Sequence, residues 1–245
     1  MKTIRVVAIT SGLCLLLAAG PAVAQGSKSE PPDPFTPSGR QACTAIPDDA
    51  YNGTVASMTC QTVAVATVGM VDDVDVVLGI NHSWVGDLTV KLVSPTGTVS
   101  TLMSKPGANE LADDGVTPPF GFSSNLIDTS PVTFDDSAGT SAEAMGVTIN
   151  SAQFVCQDDG ICDYFPFPDT GPGTNLDDFD GEAAAGNWMV CVGDSAGADT
   201  GEICDNTDVV VTVVAAPTLP WGGMIALVAL LGLVSFFMLR RRATA

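Results

Sequence analysis

Residues 81–98 read Asn81-His82-Ser83-Trp84-Val85-Gly86-Asp87-Leu88-Thr89-Val90-Lys91-Leu92-Val93-Ser94-Pro95-Thr96-Gly97-Thr98, and their spacing decides the fold. Leu88, Val90 and Leu92 alternate with Thr89 and Lys91, the period of two that sends apolar side chains to one side of a strand and polar ones to the other. Upstream, Val74, Val76, Leu78, Ile80, His82 and Trp84 share one side in the same way, so a preceding strand runs into the quoted stretch. Gly86-Asp87 and Pro95-Thr96-Gly97 carry turn chemistry. Short strands are also expected at 62–68, 99–103, 131–134, 188–192 and 209–214, separated by loops rich in Gly, Pro, Asp and Asn. No amphipathic helical period stands out before residue 221. Many short strands with such turns predict an all-β, jelly-roll β-sandwich.

The chain has 245 residues, 46% of them apolar, with 9 Lys+Arg against 28 Asp+Glu and a formal net charge of -19. That apolar content excludes a disordered acidic tail, and the shortage of cations argues against a nucleic-acid partner. All 28 acids lie between Glu30 and Asp208, whereas Lys2, Arg5, Arg240, Arg241 and Arg242 sit at the ends. The middle holds only Lys28, Arg40, Lys91 and Lys105, so 4 bases face 28 acids there, a charge of -24.

The ends read as address labels. Residues 1–24 have the charged start, apolar run and Ala22-Val23-Ala24 site of a secretory signal peptide. Residues 25–42 are Pro- and Ser-rich and read as a linker. Residues 43–214 form the body, long enough for one domain that buries roughly 70% of its unfolded surface. In 215–245, the uncharged run 221–239 would rise roughly 28 Å as a helix, so one C-terminal transmembrane helix is expected. Its Arg cluster would stay on the cytoplasmic side. Pro217, Thr218, Leu219 and Trp221 ahead of that run, with Arg240, Arg241 and Arg242 behind it, resemble the IPTL-CTERM class of bacterial envelope-sorting tails. That resemblance implies a sorting protease as partner; a plain membrane anchor is the alternative.

Cys14 leaves with the signal peptide, and Cys43, Cys60, Cys156, Cys162, Cys191 and Cys204 remain. An even number in an exported chain reads as three disulfides, for which 15 connectivities exist. Nearest-neighbour pairing is the expectation: Cys43 with Cys60, Cys156 with Cys162, Cys191 with Cys204.

The quoted stretch resembles the P domain (Homo B domain) of proprotein convertases. There, a His-x-x-x-Gly-Asp-Leu segment, matched by His82, Trp84, Gly86, Asp87 and Leu88, leads into Leu-x-Ser-Pro-x-Gly-Thr, matched by Ser94, Pro95 and Gly97. The downstream order is similar: Phe134 to Ala138, Leu176 and Phe179 before Gly181, Gly186 and Trp188 leading to Asp194, then Asp199-Thr200-Gly201. The resemblance implies an eight-stranded jelly roll of the kind that packs beside a subtilisin-like domain, stabilises that protease and tunes its pH and calcium response. The sequence as it stands leaves no room for the catalytic domain. The family's usual tryptophan in the last strand is missing near Cys204-Asp205-Asn206, and 156–174 looks inserted. The fold is therefore expected to transfer and the protease activity is not.

A Ser-His-Asp hydrolase needs an imidazole base, and His82 is the one histidine. Its place on an apolar strand face marks it as a structural residue bonded near Asp87. Acid pairs such as Asp135/Asp136 and Asp177/Asp178 could serve a glycosidase, but such pairs recur too often here to be informative. Calcium is a better use: 23 of the 28 acids are Asp, a short carboxylate suited to a hard cation. The candidates are Asp72, Asp73, Asp75, Asp135, Asp136, Asp177, Asp178, Asp180, Asp194 and Asp199. A solvated acidic surface explains the same residues without a metal. Two glycosylation sequons start at Asn52 and Asn81. The chain thus reads as a non-enzymatic exported envelope module for binding or supporting another protein. The alternatives are an accessory acting in trans on a subtilisin-like serine protease, and a calcium-dependent matrix or adhesion protein.

Overall fold

β-branched and alternating apolar residues draw residues 42–214, the part described by this computed structural model, into eleven strands. These are β1 (Cys43–Ile46), β2 (Thr59–Val65), β3 (Met70–Leu78), β4 (Ile80–His82), β5 (Leu88–Val93), β6 (Val99–Ser104), β7 (Val132–Phe134), β8 (Asp163–Tyr164), β9 (Gly186–Asp194), β10 (Gly201–Cys204) and β11 (Asp208–Val214). Three sheets result, ordered β2-β9-β5-β6, β11-β3-β7-β8 and β1-β10-β4. All pairings are antiparallel except β7 with β8.

The core is what the period of two supplies. Val74, Val76 and Leu78 of β3 and Leu88, Val90 and Leu92 of β5 are buried in one cluster with Trp188, Val190 and Val192 of β9. Phe179 meets the Trp188 ring edge-on, with centroids 5.3 Å apart. Burying side chains of this size stabilises by roughly 1.5–3 kcal/mol each.

The expected fold class, a jelly-roll sandwich plus one C-terminal transmembrane helix, requires correction. The structure is all-β with sheets that fit a sandwich, and no helix among the described residues is long and apolar enough to cross a membrane. The signal peptide, most of the linker and the tail with Pro217, Thr218, Leu219, Trp221, Arg240, Arg241 and Arg242 lie outside the described residues.

The strand expected through 74–84 is broken at Gly79, where the chain leaves one sheet for another. A β-carbon there would stand 1.7 Å from Asn206 Oδ1, and the Gly79 N–H donates to Thr207 Oγ1 at 3.1 Å. At the other end of β3 a register shift makes Asp72 an extra residue opposite β11, so that Asp72 and Asp73 are both exposed.

Lys91 departs from the alternation in a different way. Its strand position is the outward one, yet it is 1% exposed. Segments before β2 and after β6 cover that face of the sheet. The Lys91 ammonium donates to Asp113 at 2.6 Å and to the Gly53 carbonyl at 3.2 Å, and lies 5.2 Å from the Tyr51 ring centroid. Lys105, also fully buried, donates to the Val116 carbonyl at 3.0 Å.

Nearest-neighbour disulfide pairing holds for Cys156–Cys162 alone. The other bridges are Cys43–Cys204 and Cys60–Cys191, whose sequence separations are 161 and 131. Strand register overrides loop length: Cys43 is directly opposite Cys204 across β1 and β10, and Cys60 opposite Cys191 across β2 and β9. Closing loops this long constrains the unfolded chain by about 5 kcal/mol each in the chain-entropy model. The Cys60→Ala/Cys191→Ala double variant is therefore expected to melt roughly 5–15 °C lower in scanning calorimetry. A shift below about 2 °C would show that the bridge constrains little beyond what strand pairing already does.

Candidate functional site

The turn that the quoted stretch encodes builds one end of the sandwich. After β4, Trp84 leads into a single turn of 3-10 helix at Val85–Asp87, and Asp87 delivers the chain to β5. The turn is held from outside: Val85 N–H donates to the Ser124 carbonyl at 2.8 Å and Gly86 N–H to the Phe122 carbonyl at 2.9 Å. Gly86 and Gly121 pack back to back, since a β-carbon on Gly86 would meet Gly121 Cα at 2.4 Å. This contact lets the 105–122 segment lie against the turn and carries Phe120 to its rim.

His82 is 3% exposed, and its Nε2 lies 3.1 Å from Asp194 Oδ2, with both side chains shut off from solvent. The partner expected from the sequence, Asp87, is corrected to Asp194. The Trp84 N–H donates to His82 Nδ1 at 3.1 Å, and the Trp84 carbonyl oxygen is 3.0 Å from the same nitrogen. Asp194 Oδ1 accepts the Ala196 N–H at 3.0 Å, which turns the chain out of β9. Both imidazole nitrogens are thus engaged inside the protein. His82 occupies a structural position.

Asp87 is 2% exposed, and its Oδ1 is buried without a hydrogen-bond partner. Burial, then the nearby charges of Asp194 and Asp199, push its carboxyl up to about 7 against the opposing influence of His82 and Lys105. Asp199 accepts from Ser83 Oγ at 2.8 Å. Between these groups opens a cleft of about 320 Å³ lined by Trp84, Asp87, Phe120, Ala196, Gly197 and Asp199. Phe120, Ala196 and Gly197 carry no periodic or motif signal, so only the folded chain assigns them to this place.

The ten calcium candidates fall into two groups. Asp199 lines the cleft, and Asp194 is buried behind it against His82. The others share the opposite field of β3, β7 and the turn at Leu176–Phe179, where burial followed by Asp135, Asp73, Asp136 and Asp163 raises Asp75 to about 6. Burial, then Asp177, Asp72 and Asp73, raise Asp180. Several of these acids already have work. Asp136 accepts the Leu176 and Asp177 N–H groups at 3.1 Å, and Asp135 accepts the Ser137 N–H at 2.7 Å. Asp178 accepts from Ser100 Oγ at 2.9 Å and from the Thr174 N–H at 2.6 Å. Among the described residues, ligand atoms of three groups converge within 4.8 Å only at Cys43, Asp128 and Cys204, and those two sulfurs form one disulfide.

The remaining motif residues are structural. Ser94 Oγ accepts the Thr96 and Thr98 N–H groups at 3.3 and 3.2 Å, closing the turn that contains Pro95 and Gly97. Glu182 accepts from the hydroxyls of Thr96 and Thr98 and so ties this turn to a distant loop. Gly186 opens β9, and the Trp188 Nε1–H donates to the Ala184 carbonyl at 2.9 Å inside the core.

The described residues thus form a disulfide-stapled β-sandwich with a buried His82–Asp194 joint. Residues 71–138, which include the quoted stretch, match the family model of the proprotein convertase P-domain. The downstream motif lies outside the matched residues, and the His82–Asp194 contact joins it to the matched part. Among solved structures, the chain is 21% identical to the serine protease of Aeromonas sobria, with a TM-score of 0.32, covering 65% of this chain and 23% of that one. It is 20% identical to the chain in the complex of that protease with its chaperone ORF2, with a TM-score of 0.32, covering 69% of this chain and 21% of the other. The chain thus spans about a quarter or less of those proteins. No curated protein matches it.

The raised carboxyls set the sign of the pH response. Asp75, Asp87 and Glu143 hold protons up to about 6, 7 and 7 in the folded chain and release them near the ordinary carboxylate range when unfolded. Between about pH 4 and 7 the native state therefore binds more protons, and stability falls as pH rises through that window. The melting temperature is expected to drop by roughly 5 °C from pH 5 to pH 8, with a smaller drop in Asp87→Asn. A rise over the same range would contradict the assignment.

Proposed function

We propose that this chain is a non-catalytic, exported P-domain module that binds and supports another protein. The observation that carries this reading is the burial of the sole histidine between Asp194 and the Trp84 backbone, where it cannot serve a nucleophile. Three disulfides support export to an oxidising compartment. The exposed surface supports a binding role: Leu111, Val116 and Phe120 are 93%, 61% and 61% exposed on one segment, and Lys91 and Lys105 are both buried.

The match to the proprotein convertase P-domain favours a subtilisin-like serine protease, engaged in trans, as the partner class. Two measurements test these statements. A fluorophosphonate reagent is expected to label no serine of the full chain; stoichiometric labelling would overturn the non-catalytic reading. Added in excess to a subtilisin-like protease from the same cells, the full chain is expected to lengthen its thermal inactivation half-life at least twofold, roughly. An unchanged half-life would remove the protease as partner.

Calcium is a second reading, favoured by Asp75 Oδ1, which is buried without a partner amid the mutually repelling acids around it. A cation there would relieve that repulsion. Calcium is expected to raise the melting temperature by several degrees over chelator. Equal melting curves would count the acids as a solvated surface.

A further inference from the structure

The cleft at the Trp84–Asp87 turn combines features that do not belong to a solvated acidic surface. Asp87 is almost fully buried, yet one of its carboxylate oxygens has no hydrogen-bond donor. Leaving a buried acceptor unsatisfied costs about 1–3 kcal/mol, and more for a charged group, so the arrangement is tolerated for what it can receive. Trp84, in the same wall, has an indole Nε1 that is buried without an acceptor. Asp199 stands at the rim with one oxygen taken by Ser83, and Phe120 forms the far side, 61% exposed.

We propose that this cleft receives an arginine or lysine side chain from a partner protein. The charged head would donate to Asp87 and Asp199, the aliphatic stem would lie between Trp84 and Phe120, and a carbonyl of the partner's chain would accept from Trp84 Nε1. Three observations select this occupant. The walls are largely aromatic and backbone, which suits a cation with an apolar stem and offers too few oxygens for the six to eight ligands of calcium. The free donor on Trp84 asks for an acceptor beside the cation, which a peptide provides and a bare ion does not. Charge complementarity is one-sided at the surface: both lysines of the described residues are buried, Lys91 on Asp113 and Lys105 on the Val116 carbonyl, and Lys105 acts on Asp87 only through space. The exposed Phe120 gives the stem of such a residue an apolar footing. The proposal rests on the protein-binding reading above and names the chemistry that the partner must present.

Binding should strengthen with pH, because the head group requires Asp87 ionised while Asp194, Asp199, His82 and Lys105 face the same carboxyl.

The test uses the full chain and two peptides, acetyl-Leu-Arg-Leu-amide and its neutral isostere with citrulline for arginine, followed by Trp fluorescence and calorimetry. The arginine peptide is expected to bind at least about tenfold more tightly than the citrulline peptide. It should lose that preference in Asp199→Asn, which alters a rim residue and leaves the core intact, and in Asp87→Asn if that variant folds, whereas Phe120→Ala should weaken both peptides alike. Affinity should rise several-fold from pH 6 to pH 8 in the parent chain. Equal binding of the two peptides overturns the proposal, as does stoichiometric displacement of the arginine peptide by calcium. Tighter peptide binding after Arg240→Gln, Arg241→Gln and Arg242→Gln would assign the cleft to the chain's own arginines and equally overturn it. If Asp199→Asn leaves crosslinking to a native partner unchanged, the cleft proposal fails while the protein-binding reading stands.

Discussion

The contact between His82 and Asp194, 112 residues apart and closed to solvent, is the constraint on which the rest of this domain depends. It fastens the end of β4 to the end of β9. Because Asp194 also pairs in register with Leu88, the same residue aligns β9 with β5 at the centre of the sandwich. A buried polar pair of this kind adds little net stability over an apolar one, but losing either partner strands the other in a low-dielectric interior. It therefore specifies the arrangement: the turn at Val85–Asp87 can sit only where the imidazole reaches the carboxylate. The cleft is a by-product of that placement.

The two buried lysines show how the same chain disposes of charge. Lys91 and Lys105 are spent on Asp113, Gly53 and Val116, and so hold the long segment between β6 and β7 over the outer face of the sheet. Burial lowers the Lys105 ammonium, with Glu110, Asp87 and Asp114 opposing. The result is a covered sheet face and a surface whose formal charges are all negative within residues 42–214. Such a surface repels copies of itself and selects cationic partners. The segment that the lysines secure also carries the exposed Leu111, Val116 and Phe120. Charge burial and the apolar surface thus arise from one device.

Much of the sandwich was legible because a half-buried strand writes its period directly into the residues. Val74, Val76, Leu78, Ile80 and His82 are buried as their spacing implies, and so are Leu88, Val90 and Leu92. The short strands β1 and β10 were not legible. Neither has an apolar run of its own, and both are held by each other and by Cys43–Cys204. Of the site, Trp84, Asp87, Asp194 and Asp199 were singled out as motif or acid residues, but their grouping was not visible. Asp87 was paired with His82 on sequence proximity, and the carboxylate that reaches the ring comes from another strand.

The sequence alone determined that the body is a strand-built, cysteine-bonded, strongly acidic domain with a P-domain signature around His82 to Thr98. Period, composition and motif are local properties, and they survive without the fold. Tertiary structure alone decided that Cys43 bridges Cys204 and Cys60 bridges Cys191, which carboxylate holds His82, and that Lys91 and Lys105 turn inward. Each of these depends on strand register or on a covering loop that brings together residues far apart in the chain. The cleft belongs to the same category. Its walls come from the β4–β5 turn, the segment before β7 and the loop after β9, and only long-range packing makes them neighbours.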